Sequence, residues 1–448
     1  MDFNGFKKTV IARCAELGIA DYELYYQTAE STSVSAFQHE INEFTGSLEG
    51  GICFRCIVGG KMGYASTESL TEEQALAVVA RAVDNAENLE AEEAVFLGEG
   101  GKTYQPLTRE SYDLPATDAM IAKVLQTQEA IYAADPRVID GTQSQGIAER
   151  SVTAIYNSRG LDLRSETVLT GLIAVAVVSD GQEMTNSNAI RLGDLQTMDV
   201  PALTGKAVSK ALRELGGSVA PTGQYPVVFD PGAMCDLLAT FSGIVSSEAA
   251  QKGLSRLAGQ EGAVIASPLV TLVDDPFHPD APVQRNFDAE GSPTCTKNVI
   301  EKGELKTLLY NLKTAAVAGR ETTGNASKAG YDAPVGIRPF TMYLQPGQLS
   351  EEELLAQMGN GVYITSLGGL HAGANPVSGD FSLQSAGFMI EGGRKTTAVK
   401  SFTVAGNFYE MLKNIRALAD NCTLPRAMGM TTFGAPSVLV DGLSIAGK

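Results

Sequence analysis

Residues 380–407 read DFSLQSAGFMIEGGRKTTAVKSFTVAGN. The stretch reads as strands and turns with no helix between them. Strands joined by hairpins rather than by helices imply antiparallel sheet. The same texture fills the residues around it: NVIEKGELKTLLYN (298–311, a hairpin about Lys302-Gly303), FTMYLQPG (340–347), GVYITSLGG (361–369) and PSVLVDGLSIAGK (436–448). One short helical stretch, FYEMLKNIRALA (408–419), interrupts them. The class is α+β: an N-terminal helix/sheet domain, then a β-rich, antiparallel C-terminal domain for which a barrel is one arrangement.

Working upstream, PVVFD (226–230) is a strand, Asp230 caps the helix after it, and Pro231 sits at that helix's first position. The helix carries CDLLATFSGIVSSEAAQKGLSRLAG (235–259), with a kink expected near Gly243. GGSVAPTGQYP (216–226) is small, polar and holds two prolines, so it marks the boundary between domains 1–217 and 222–448.

In the first half, Phe3, Phe6, Val10, Cys14 and Leu17 form a helical stripe. YELYYQT, STSVSAFQ, GICFRCIV and MGYAST are strands between 21 and 66, with a hairpin signal at Gly59-Gly60. Thr71 and Gln74 open a helix with a capping box. Residues 90–115 read as a long surface connection. A helix over Asp118–Ala134, two strands split by Ser158-Arg159-Gly160, and a helix over Pro201–Leu215 closed by Gly216-Gly217 complete this half.

Bulk properties narrow the function. A length of 448 residues allows large cores, and 44% hydrophobic with 19% charged residues is ordinary for a globular protein. No run of about 18 apolar residues predicts a membrane span. The N-terminus reads as an amphipathic helix rather than a signal peptide, so the cytoplasm is the expected location. A net charge of −18 repels phosphate backbones and argues against nucleic-acid binding. Six scattered cysteines do not make a disulfide framework. Cys53 and Cys56 in CFRC lie on a strand, where residues three apart face opposite sides and cannot chelate one ion.

SSEAAQKG (246–253) poses the chemical question. Histidines in place of Ser247 and Lys252, flanking Glu248 and its helix, would make a hydrolytic metal site. A metallopeptidase needs neutral nitrogen ligands and a carboxylate base. The histidines of this chain are His39, His278 and His371, and none lies here. Ser247 is a poor zinc ligand and Lys252 a repelling cation. As a nucleophile–base pair the two fail also: five residues apart on a helix, they diverge by roughly 140°. Glu248 then reads as a solvated carboxylate or as a partner of Lys252.

GGLHAGANPVSGDFSLQSAG (368–387) packs five glycines, His371, Asn375-Pro376 and the triplet Gly379-Asp380-Phe381. Such density implies tight turns or close backbone approach. It is either a compact loop entering a strand or a cleft wall that binds extended peptide through His371, Asn375, Gly379, Asp380 and Phe381. A structural, hydrogen-bonded role suits His371 better than a metal, since no partner ligand is nearby. Asp288 and Glu290, two apart, can share a face of a strand, but a turn is the default.

VVFDPGAMCDLLATFSG, FDAEGSPT, ETTGNASKAG, GLHAGANPVSGDFSLQSAGFMIEGG and GAPSVLVDGLSIAGK, spread over the C-terminal half, resemble the TldD/PmbA family, often labelled modulators of DNA gyrase, and its PmbA (TldE) branch in particular. The resemblance implies a heteromeric cytoplasmic metalloprotease that cuts unfolded peptides. Its TldD subunit binds zinc through a helical HExxxH and a downstream cysteine; its PmbA subunit lacks these ligands. On this chain the two histidines fall at Ser247 and Lys252, the glutamate at Glu248 as a remnant, and the cysteine near Cys422. The implied roles are therefore no metal in this chain, zinc in a TldD-like partner, and peptide binding and cleft formation here. A homodimer stays open as an alternative assembly. The contrasting hypothesis is a regulatory binding protein of the gyrase-modulator type, whose acidic surface mimics DNA.

Overall fold

The computed structural model describes residues 1–90, 95–109, 112–428 and 431–448. Asp2 accepts the Gly5 N–H and starts α1 (Phe3–Glu16). Then follow β1 (Tyr22–Phe37), β2 (Glu40–Val58), β3 (Lys61–Thr67), α2 (Glu72–Glu87), α3 (Thr117–Ala134), β4 (Gln143–Asn157), β5 (Asp162–Ser179), β6 (Met184–Leu192) and α4 (Val200–Glu214). The strands form one sheet in the order β3-β2-β1-β4-β5-β6, antiparallel throughout.

The helices cover the sheet because their apolar stripes match its alternation. Phe6 and Val10 of α1 and Val78 and Ala82 of α2 pack on Leu24, Ile52 and Phe54. Met120 and Val124 of α3 and Leu203 and Val208 of α4 pack on Val34 and Leu172. Cys56 joins the α1–α2 side, whereas Cys53 faces Phe287 of the C-terminal half, so the two thiols point opposite ways.

Two local expectations need correction. The runs 22–28 and 31–38 are one strand, and its hairpin with β2 turns at Gln38-His39, both left-handed without glycine. Tertiary contacts hold the turn: the His39 ring stacks on Tyr132 at 4.5 Å and its N–H donates to Gln128 Oε1 at 2.7 Å. The capping box of α2 is half made. Thr71 accepts the Gln74 N–H, but the Gln74 side chain turns to Thr67.

The connection read over 90–115 includes residues 91–94 and 110–111, which lie outside the described residues. Its described part is pinned down rather than loose. Gln284 Oε1 accepts the N–H groups of Thr108 at 3.0 Å and Arg109 at 2.9 Å, and Tyr104 donates to Gly291 O at 2.8 Å.

The C-terminal half runs β7 (Gly223–Phe229), α5 (Pro231–Phe241), a 3-10 turn (Ser242–Val245), α6 (Ser247–Gln251), β8 (Leu272–Asp274), β9 (Lys297–Glu301), β10 (Glu304–Leu305), α7 (Leu312–Ala318), β11 (Ala326–Ser327), β12 (Gly336–Ile337), β13 (Thr341–Leu344), α8 (Glu351–Met358), β14 (Gly361–Gly368), α9 (Leu370–Gly373), β15 (Asp380–Glu391), β16 (Arg394–Asn407), α10 (Phe408–Lys413), β17 (Ile415–Leu418), β18 (Thr423–Met428), β19 (Thr431–Ala435) and β20 (Val438–Ala446). The hairpin at 380–407 turns at Gly392-Gly393, both with positive φ, and β16 pairs with β20 as well as with β15. That second pairing closes β7, β14, β15, β16 and β20 into a five-stranded barrel. A second sheet, β10-β9-β8-β13-β19-β18, lies beside it, with α5 packed between barrel and sheet.

Most pairings are antiparallel, as the hairpins imply. β7–β14 and β13–β19 are parallel, because each pair is joined by long stretches containing helices. Three helices interrupt the strands besides α10. Of these, α8 carries a reciprocal box between Ser350 and Glu353 that is written in the sequence. The helix expected to reach 419 stops at Lys413, and Ile415–Leu418 pair with β20.

Candidate functional site

The helix expected across 235–259 is broken rather than kinked. Asp230 caps α5 through the Ala233 N–H at 2.7 Å. After Phe241 the chain tightens into the 3-10 turn, extends at Ser246, and restarts as the five-residue α6, capped by Ser246. Ser247 is buried, and its hydroxyl donates to Thr314 Oγ1 at 2.8 Å. Thr314 belongs to the capping box of α7 with Asn311, so the bond ties α6 to α7. Lys252 ends α6 and reaches back to Glu248 Oε1 at 2.6 Å, a surface pair. Ser247 thus points inward while Glu248 and Lys252 point outward.

Cys422 lies just before β18, its Sγ 3.7 Å from Leu344 O, and burial pushes its thiol up to about 11. The three histidines are dispersed. His39 stacks on Tyr132, His278 meets Tyr343 edge-on at 5.1 Å, and His371 is exposed on α9. No group of three or more His, Cys, Asp or Glu that could hold a metal ion occurs among the described residues.

The 368–387 stretch divides by depth. Asn375 Oδ1 accepts the N–H groups of Val377 at 3.0 Å and Ser378 at 3.1 Å, closing an Asx turn. Gly379 takes φ +80°, and a Cβ there would strike the Tyr409 ring, so glycine is required twice over. Asp380 is exposed; the amide of Asn407, at 2.8 Å, and Ser378 hold its carboxyl below the usual range. Phe381 is buried, edge-on to Phe241 at 6.3 Å, with Phe241 stacked on Phe408 at 4.5 Å. Phe381 is therefore a core residue, and Gly379 shapes the turn beneath the surface. His371, Asn375 and Asp380 are the members of the set that reach solvent.

Asp288 and Glu290 sit in a turn and are buried. Asp288 Oδ1 accepts from the N–H groups of Glu290 and Ser292, and Oδ2 from that of Ala326, each at 2.9 Å. Glu290 Oε2 accepts the Leu312 N–H at 2.8 Å. Burial raises the pKa of both. Each is occupied in tying loops together, which explains the motif FDAEGSPT without a reaction. Sequence reasoning passed over Arg285, Lys328 and Arg338, which line a cavity with Asp288 where the two halves meet. Lys328 lies within ETTGNASKAG, but the residues that join it are far apart in the chain.

Three profiles match the chain: PmbA/TldA metallopeptidase domain 1 over residues 22–86, the central domain over 111–215, and the C-terminal domain over 222–447. This chain belongs to the PmbA/TldD family. A Thermotoga maritima structure, provisionally described as a modulator of a DNA gyrase, is 30% identical with a TM-score of 0.89, covering 99% of this chain and all of that one. TldE from Thermococcus kodakarensis is 25% identical with a TM-score of 0.87 over the same coverage. A metalloprotease of Methanothermobacter thermautotrophicus is 28% identical over 89% of this chain and 87% of its own.

Membership of a PmbA/TldD metallopeptidase family implies a metal. The residues at 247–252 do not fit one. The Ser247 hydroxyl is committed to Thr314, the Glu248 carboxylate pairs with Lys252, and the Lys252 ammonium would repel a cation. No helix among the described residues is long and apolar enough to cross a membrane.

Proposed function

We propose that this chain is the PmbA/TldE-type, non-catalytic subunit of a cytoplasmic TldD-type metalloprotease that acts on unfolded peptides. One observation carries the reading: the positions where the family's histidines would fall hold Ser247, spent on Thr314, and Lys252, spent on Glu248. Hydrolysis of an amide by a bound metal needs ligands that hold the ion and a carboxylate free to take a proton from water. The ligands are missing there, and the one carboxylate, Glu248, faces the Lys252 ammonium. Zinc belongs in this reading to a TldD-like partner, and no cofactor to this chain.

What remains to this subunit is shape. The outer strand β6 has no strand partner on its far edge among the described residues, and its Met184 is exposed. An open edge of this kind accepts an extended peptide by strand addition. His371, Asn375 and Asp380 offer polar contacts on the loop before β15. Together these supply cleft walls that shield a partner's metal from bulk water.

The test is cleavage of an unfolded peptide by this chain alone, by a TldD-like subunit alone, and by the two mixed, in a heteromer or, for this chain, a homodimer. The reading predicts no zinc-dependent cleavage by this chain alone and faster cleavage in the mixture. The second reading, a regulatory protein acting on gyrase, draws on the Thermotoga relative's description and the −18 charge. Capture of gyrase without any TldD-like chain in a pull-down would favour it.

A further inference from the structure

Where the N-terminal sheet meets the C-terminal half, a cavity of about 40 Å³ opens between Tyr25 and Thr153 of β1 and β4 and the segments 285–289, 326–328 and 338–340. Its charged lining is lopsided. Arg285, Lys328 and Arg338 contribute three cations against the single carboxylate of Asp288. Both oxygens of that carboxylate already accept backbone N–H groups. None of the three cations has a carboxylate within ion-pair distance among the described residues.

Lys328 is only 7% exposed, and its ammonium lies 4.5 Å from the centre of the Tyr25 ring. The buried Arg285 Nε has no hydrogen-bond partner among the described residues. Buried donors without partners are rare, and each calls for an explanation. Crowding the buried Lys328 and two half-buried arginines together without an anion is costlier still. Burial, with Arg55 nearby, pulls the Lys328 ammonium down, while Glu23 and Asp332 act the other way from outside the cavity lining. Burial likewise pulls down Arg285, against Tyr25 and Glu149. An anion in the cavity would relieve both.

We propose that this cavity is a carboxylate-binding site, with Arg285, Lys328 and Arg338 as its cationic contacts and the Tyr25 ring holding the Lys328 ammonium in place. The cavity has room for more than a single water and opens to solvent, so a carboxylate can enter it while the rest of its molecule stays outside. The planar guanidinium fork matches a carboxylate's two oxygens. Arg285, Ser327 and Arg338 are only partly buried, so the cavity is not sealed from solvent. The carboxylate comes either from the C-terminus of a peptide or from a free small acid. The inference does not rest on the subunit reading, and its failure would leave that reading standing.

Calorimetric titration of the full chain with acetate at constant ionic strength tests it. Saturable binding is expected, weakened at least tenfold in Lys328→Met, which keeps the aliphatic stem over Tyr25. Arg338→Met, at a partly exposed position, gives the same reading should the first variant fold poorly. A crystal structure of the wild-type chain with acetate should show the carboxylate against Arg285, Lys328 and Arg338, a readout independent of any variant. A short peptide with a free C-terminus that binds more than tenfold tighter than its amide identifies the chain terminus as the source. Equal peptide affinities with retained acetate binding identify a free acid. Absence of acetate binding, preference for sulfate, binding undiminished in both variants, or acetate seen only outside the cavity would overturn the proposal.

Discussion

The short helix at 247–252 and the cavity at the junction of the two halves are both polar sites, and they are built oppositely. At 247–252 the polar groups are spent on one another: Ser247 on Thr314, Glu248 on Lys252. At the junction, Asp288 is saturated by three backbone N–H groups while, among the described residues, Arg285, Lys328 and Arg338 have no carboxylate within ion-pair distance. A site that satisfies itself has no chemical demand left for a ligand. A site that leaves buried charge uncompensated does. Family membership alone would direct attention to the first; the electrostatics direct it to the second.

The largest expected effect lies in the scaffold of the junction. Asp288→Ala strands three buried N–H groups and should cost about 3–5 kcal/mol, read as a lower urea midpoint. A loss under about 1 kcal/mol would mean that Asp288 does not organise the junction. The pH dependence should differ between the two sites as well. Glu290 has its pKa raised, by burial first and then by Asp288. A carboxyl raised on folding contributes stability that is present at low pH and lost as pH rises through the folded value. Unfolding free energy should therefore fall as pH climbs from the ordinary carboxylate range toward neutrality. Glu290→Gln, which can still accept the Leu312 N–H, should flatten that fall. An unchanged slope would remove Glu290 as its cause.

The short helix at 247–252 should respond more weakly. Ser247→Ala deletes one buried hydrogen bond and should cost about 1 kcal/mol, with peptide cleavage by the mixed complex unchanged. Lys252→Ala breaks an exposed pair and should cost well under about 1 kcal/mol, again without effect on cleavage. A large activity loss in either variant would put chemistry back at this helix and erase the contrast.

The barrel and the N-terminal sheet were legible because period-two strands and glycine hairpins are local signals. Gly392-Gly393 and Gly59-Gly60 announce their turns. Gln38-His39 does not, because Tyr132 and Gln128, distant in sequence, hold it. The break after Phe241 has a similar cause: the helix restarts at Ser247, which meets Thr314 far along the chain, and no periodicity reveals that contact. That no histidine lies within 246–253 could be seen in the sequence. The inward Phe381 could not, since a phenylalanine after Gly-Asp fits a cleft wall and a core equally well until Phe241 is placed beside it. The junction cavity was illegible altogether. Its cations come from three segments, and only folding brings them to Tyr25.

The central claim is that this chain does not grip a hydrolytic metal. Its most direct test is elemental analysis of the purified chain after incubation with zinc and exhaustive dialysis, without any TldD-like subunit present. The account predicts that zinc is not retained in stoichiometric amount. One zinc per chain, lost on substitution of Glu248, would contradict it.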